Sequence, residues 1–227
     1  MKVISLTASD IGQYDVPFEA GVMAEIGSGY AWWPETLDMT TFTTNHGCVT
    51  LEIARNTVKS YSVNSVALEA YNAAVLEATR SAVIAKMSAI CNAMIVDGVE
   101  VEMDDGTKKK FALTDQDQAN ISIMFDTIRM GAKKYLYHED DGNCTWYTAS
   151  EILRMYVAMN SSITYHTTYN NSIKQWIKRE TDLEVLNTMT YGMELPSDLK
   201  ATFDQNIAEA AEIVQQVVET LTQAMSA

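Results

Sequence analysis

Cysteine, histidine and proline are scarce in this chain, with three of each among 227 residues. Cys48, Cys91 and Cys144 are widely spaced and odd in number, and no CxxC occurs. That argues against a disulfide framework and for synthesis in a reducing cytosol. Basic residues are short as well: 16 Lys and Arg stand against 30 Asp and Glu, a formal net charge of −14. Such a surface repels nucleic-acid phosphates and anionic membranes, so neither is an expected partner. Long apolar runs are missing. The most apolar stretch, residues 78–97, is broken by Arg80 and Lys86, so no membrane span is expected. The opening "MKVISLTASD" has no apolar core of the kind a signal peptide needs. P-loop, dinucleotide and GxSxG motifs are absent too.

What is present is an ordinary globular balance, 47% hydrophobic and 20% charged, enough for one large domain or a domain with an appendage. Residues 1–60 are rich in Thr, Gly and aromatics and hold Pro17 and Pro34. Within them, "TTFTTNHGCVTLEIA" (40–54) reads as two short strands about Asn-His-Gly, with Gly47 supplying the positive φ of the turn. "AWWPE" sets Trp32 and Trp33 before Pro34, an extended or turning piece.

From 64 to 95 there is neither Gly nor Pro, and the spacing predicts one long amphipathic helix. Its expected face is Leu68, Tyr71, Val75, Ala78, Ala82, Ala89 and Ala93. Two similar units follow. In the first, Val99 and Val101 alternate with Glu100 and Glu102, Asp105-Gly106 turns, Lys110–Leu113 returns, and Thr114 with Asp117 caps a helix. Ile121, Met124, Phe125 and Ile128 form that helix's apolar face, and Gly131 ends it. In the second, Tyr135–Tyr137 runs out, Asp141-Gly142 turns, Cys144–Tyr147 returns, and Thr148 with Glu151 makes a capping box. A long helix then reaches about residue 179, with Ile152, Tyr156, Met159, Ile163, His166, Ile173 and Ile177 near heptad spacing. After a break at Arg179–Thr181 and a short helical piece, Pro196 or Ser197 opens the last helix. Its seam is Ile207, Ala210, Val214, Val217, Leu221 and Ala224. These steps of three and four fit coiled-coil pairing between chains or packing within one chain.

"YHEDDGNCTWYTASE" (137–151) gathers a histidine, a cysteine and three consecutive acids. Zinc requires about four ligands, commonly as closely spaced His and Cys pairs. The candidates are His46 with Cys48, and His138 with Cys144 and His166, but neither pair has a second pair at suitable spacing. The contrasting reading packs His138 and Cys144 over Tyr137 and Tyr165, with no metal and no cofactor. A calcium loop with Gly142 at its sixth position would start at Tyr137 and end at Thr148, which supplies no acids where calcium needs them. Glu139, Asp140 and Asp141 therefore read as turn residues and solvated charge. "IGSGY" is a lone Gly-rich turn, and the lysines of "TKKKF" keep an edge strand soluble. Cys48 or Cys144 could act as a nucleophile only beside a base. Tyr165, Tyr169 and Trp176 fall at helical spacing around His166. They form either a surface for sugars or a partner, or the filling between the long helix and the hairpins.

In order along the chain, "GVEVEMDDGTKKKFALTDQDQANI", "YLYHEDDGNC", "SSITYHTTYNNSIKQWIK" and "MTYGMELPSDL" resemble an uncharacterised domain family common in phages and prophages of gut bacteria. The likeness spans roughly residues 58–200. It is most specific at Gly98-Val99, Asp105-Gly106, Leu113, Asp117-Gln118, Asn120, Tyr137-His138, Gly142, Cys144, Tyr165–Tyr169, Tyr191-Gly192 and Leu195-Pro196. The chain departs from the pattern at Lys134-Tyr135-Leu136, where a Tyr-Pro pair is expected. Genes of that family sit in the tail module near baseplate and tail-fibre genes, and the family implies no catalytic residue and no cofactor.

The expectation is thus an α+β, mainly α chain: long amphipathic helices in a bundle, two short β-hairpins and a small strand-rich N-terminal region. Residues 1–60 would attach, 61–190 would hold the helix and hairpin units, and 191–227 the last helix. The resemblance implies a non-catalytic tail protein of the virion, made in the host cytoplasm, partnered by other tail or fibre proteins and by copies of itself, and only indirectly by a host receptor. A tail-fibre assembly chaperone and a cell-surface polysaccharide or peptidoglycan hydrolase are the alternatives.

Overall fold

A computed structural model describes residues 1–21, 27–140 and 142–226. Among the described residues the chain is mainly α, with six helices and three small sheets. It divides into two compact units, Met1–Thr79 and Arg80–Ala227. No helix among the described residues is long and apolar enough to cross a membrane.

The first unit is built on a five-stranded sheet of β1 (Lys2–Ser5), β2 (Phe18–Glu19), β3 (Tyr30–Trp33), β4 (Val49–Ala54) and β5 (Thr57–Val63), in the order β2-β1-β3-β5-β4. Only the β3–β5 neighbours run parallel. One face buries Ile4, Ala31, Trp33, Val49 and Val58 together with Phe42 of the short helix α1 (Thr40–Thr44). Trp33 and Phe42 meet edge to face at 5.3 Å. The 40–54 stretch is not two strands. Asp38 accepts from the Thr40 N–H at 3.0 Å, and Thr43 Oγ1 donates back to the Met39 carbonyl at 3.0 Å, so local side-chain bonds wind 40–44 into a helical turn. The true hairpin joins β4 to β5 through Arg55 and Asn56, both at positive φ (51° and 55°) without a glycine. Gly47 (φ 75°) instead lets the chain pass under Tyr14, whose carbonyl a Cβ there would strike.

Helix α2 (Ser65–Asp97) begins in the first unit and ends in the second. Asn64 Oδ1 accepts from the Ala67 N–H at 3.1 Å and starts it. Its packed stripe within the second unit is Val83, Met87, Cys91 and Ile95; Ala82, Ala89 and Ala93 there, and Ala78 in the first unit, are exposed. The alanines expected to face the core do not. The helix is rich in Ala all round, so alanine spacing carries propensity rather than direction, and the larger side chains choose the face.

Gly98 (φ 90°) closes α2 by donating to the Ile95 carbonyl at 3.0 Å and turns directly into β6 (Val99–Glu102). β6 pairs antiparallel with β7 (Lys108–Phe111). β8 (Lys134–Tyr137) pairs likewise with β9 (Thr145–Thr148). The turn between these last two includes Asp141, which lies outside the described residues. Each ribbon feeds a capped helix: α3 (Asp115–Arg129) behind Thr114 and Asp117, and α4 (Ala149–Arg179) behind Thr148 and Glu151. Both caps satisfy the orphan N–H groups reciprocally. Phe111, Leu113, Ile121, Met124, Tyr147, Ile152 and Met155 fill the core between them.

Two short joints follow α4. Glu180 ends it, and Asp182 caps α5 (Leu183–Thr188) by accepting from the Glu184 N–H at 2.8 Å. α6 (Ser197–Ser226) then runs back along α4. Arg179 donates to both carboxylate oxygens of Asp198 at the start of α6, holding that carboxyl well below the usual range, at about 2.

Candidate functional site

The acids of the two turns are tied into the fold. Glu151, 9% exposed, accepts from the Thr148 N–H at 2.8 Å through one oxygen and from the Asp104 N–H at 3.1 Å through the other. Asp104 in turn accepts from Thr148 Oγ1 at 2.7 Å and pairs with Arg154. Arg154 foremost and Thr148 next hold the Asp104 carboxyl below its ordinary pKa. The second turn repays the contact: Asp140 Oδ1 accepts from the Ala112 N–H at 2.7 Å, and Glu139 lies 3.4 Å from Lys109 Nζ. Each turn thus anchors to the other ribbon-and-helix pair within the second unit. Asp140 and Glu139 are ties rather than free solvated charge. Tyr137 Oη donates to Asp117 at 3.1 Å, and burial, with Asp117 and Asp140 adding to it, pushes its hydroxyl up to about 12.

His138, Cys144 and His166 do not converge. His138 is exposed, stacks on Tyr137 at 4.8 Å and sits 3.1 Å from the Glu139 carbonyl. Cys144 is exposed. His166 Nδ1 lies 3.2 Å from the Tyr191 hydroxyl, and burial lowers its pKa. Among the described residues no three His, Cys, Asp or Glu side chains form a group able to hold a metal. Purified protein is therefore expected to carry less than about a tenth of an equivalent of zinc by elemental analysis. The His46 and Cys48 pair is divided as well. The His46 ring stacks on Tyr71 at 4.5 Å, while Cys48 is fully buried and burial pushes its thiol up, the wrong direction for a nucleophile.

The aromatic trio also separates. Tyr169 is buried, donates to the Met193 carbonyl at 2.7 Å and accepts from the Gly192 N–H at 3.0 Å. Tyr165 is 47% exposed and meets Phe203 of α6 edge to face at 5.4 Å. Tyr169 shares Phe203 at 6.0 Å and Tyr191 at 4.9 Å. Trp176 lies about two further turns along and donates to Glu180 at 3.4 Å. Tyr165 and Tyr169 therefore lock the 189–195 turn and the start of α6 onto α4, rather than forming one open platform with Trp176.

The open apolar feature lies elsewhere. α3, α4 and α6 enclose a groove of ≈ 780 Å³. Phe125 and Tyr156 stack face to face at its base, centroids 3.6 Å apart, with Val157, Asn160 and Thr164 beside them on α4. Arg129 lines the α3 side, its guanidinium 5.8 Å from the Phe125 ring and 3.1 Å from Asp126. Ile213 and Val217 line the α6 side, 62% and 40% exposed. Of the expected seam, Ile207, Ala210, Val214 and Leu221 are half-buried, and Val214 and Leu221 line the groove. Val218 packs beside Leu221 against the core, a place the heptad spacing gave to Val217. An α-helix of 3.6 residues per turn drifts from a strict heptad, which moves the inward stripe from 217 to 218 and leaves Val217 facing out. The side chain of Ala224 lies outside the described residues. Ile213 was missed in the sequence because it stands outside that seam. The signal was its spacing four before Val217, a second apolar row on the same helix.

Comparison with known proteins gives no match: no family model, no curated protein and no solved structure aligns with this chain.

Proposed function

We propose that this chain is a non-catalytic structural protein of a phage tail, in the baseplate, tail tip or fibre-attachment apparatus, acting in virion assembly or host adsorption. The observation that carries the reading is the exposed apolar groove among α3, α4 and α6, with Ile213 and Val217 left open on its wall. Solvent-facing apolar rows of this kind are what a docking protein keeps for its partner. The resemblance over residues 58–200 supplies the tail context. Three helices of 33, 31 and 30 residues supply rigid length, and would act together as the bundle. Other tail or fibre proteins and further copies of the chain are the partners, with any host receptor reached through them.

A second reading, a fibre-assembly chaperone that leaves before the particle is complete, is favoured by the same groove together with the net charge of −14. A strongly charged protein stays soluble while offering apolar surface. A polysaccharide or peptidoglycan hydrolase would need paired carboxyls across a cleft, and Asp104, Asp117 and Glu151 are engaged in caps and turns instead. Quantitative mass spectrometry of purified particles separates the first two readings. The structural reading expects the chain in a fixed copy number. Presence in infected cells with absence from particles would replace it with the chaperone.

A further inference from the structure

Resting on the docking role just proposed, we propose that the occupant of the groove is α6 of a second copy of this chain, laid antiparallel about a two-fold axis that passes midway between Ile213 and Val217. α6 carries two apolar rows. One, including Ile207, Val218 and Val214, which also lines the groove, is half-buried against its own unit, and the other, Ile213 and Val217, is the exposed row on the groove wall. Two copies related by that axis place each Ile213 against the other copy's Val217, so each open row covers the other.

Charge selects both the partner and the direction. Between Phe203 and Gln223 the helix bears Asp204, Glu209, Glu212 and Glu219 and neither Lys nor Arg. The opposite wall carries Arg129, and Lys133 follows it beside Leu221. Arg129 is paired with Asp126 at 3.1 Å, but Lys133 beside it leaves the cations in excess at this end, and an apolar helix flanked by a glutamate complements it. In a parallel pairing Glu209, the acid nearest that row, would meet its own copy. In the antiparallel register Glu209 of one copy falls at the level of Leu221 in the other, where Arg129 and Lys133 stand. Glu212 falls at Val218 and Glu219 at Ala211, within one residue of each other's level, but both stand on the side of α6 away from the Ile213 and Val217 row. Like charges set directly opposite destabilise helix pairs, so Glu209 favours the antiparallel pairing over the parallel one.

The test is sedimentation of the full-length chain from about 1 to 100 µM, because a dimer's population depends on protomer concentration. Dimer mass is expected at the upper end, and the Ile213→Glu, Val217→Glu double variant should sediment at about half that mass with an unchanged circular-dichroism spectrum. Arg129→Glu should weaken dimerisation about tenfold, and Glu209→Arg added to it should restore most of the loss. In a Cys144→Ser background, mixing Ile213→Cys with Val217→Cys protein should give the mixed cross-link in excess over either like pair. A monomer throughout, a dimer that survives the double variant, or dominant like-pair cross-links would each overturn the proposal. The tail assignment is read separately, from particle content, so the two can fail independently.

Discussion

Gly98→Ala is expected to cost the second unit about 3–5 kcal/mol and to lower its melting temperature by about 10 °C. Two causes add. Gly98 sits at φ 90°, a conformation that L side chains rarely adopt. A methyl there would also land on the Phe111 carbonyl oxygen and 2.7 Å from the Ala112 Cα, both backbone at the end of β7. Backbone cannot rotate away as a side chain can, so either the α2-to-β6 turn opens or β7 leaves its register over the buried Phe111. Gly106→Ala is the matched control. Gly106 has φ 80°, but a Cβ there meets nothing within 4 Å. Its cost should be about 1–2 kcal/mol, the backbone strain alone. Thermal or urea melts of the two variants side by side measure the difference, and equal losses would mean that the close approach to β7 is absent in solution.

Glu151→Ala should cost about 2–3 kcal/mol. One carboxylate closes the capping box of α4 and also accepts from the Asp104 N–H, so its loss orphans two donors in a nearly buried place. It also loosens the shelf that holds Asp104 for Thr148 and Arg154. Glu151→Gln keeps one acceptor oxygen and should lose about half as much. Asp117 closes the corresponding box of α3 but is more exposed, so Asp117→Ala should fall below Glu151→Ala. Equal effects at the two sites would show that the tie from Glu151 to the first turn adds no more than the Tyr137 hydroxyl bond adds at Asp117.

The local plan of residues 99–180 was legible because its signals are short-range. Thr-x-x-Asp and Thr-x-x-Glu name two helix starts, and Asp105-Gly106 marks a positive-φ turn. Three features were hidden for identifiable reasons. The face of α2 was obscured because alanine recurs on every side of it. The first-unit hairpin turns at Arg55-Asn56, where the usual glycine signal is missing, while Thr40–Thr44 reads as β-rich by composition yet bonds to its own backbone. The groove was legible only as the seam residues Ala210, Val214, Val217 and Leu221, not as an open site among three helices. It depends on which of two adjacent valines, Val217 or Val218, turns inward, and that is decided by how α6 lies along α4. The Tyr165–Tyr169 stretch was found as a cluster, but only the fold shows that Phe203 and Tyr191 claim it.

Counting copies of the chain in purified tailed particles, with wild-type protein beside the Ile213→Glu, Val217→Glu variant, asks most directly whether this protein works by being built into an assembly through its groove. A fixed copy number for the wild type and at least about a tenfold drop for the variant, with the variant's melt unchanged, is the predicted result. Equal incorporation of both proteins, or particles that contain neither, would contradict it.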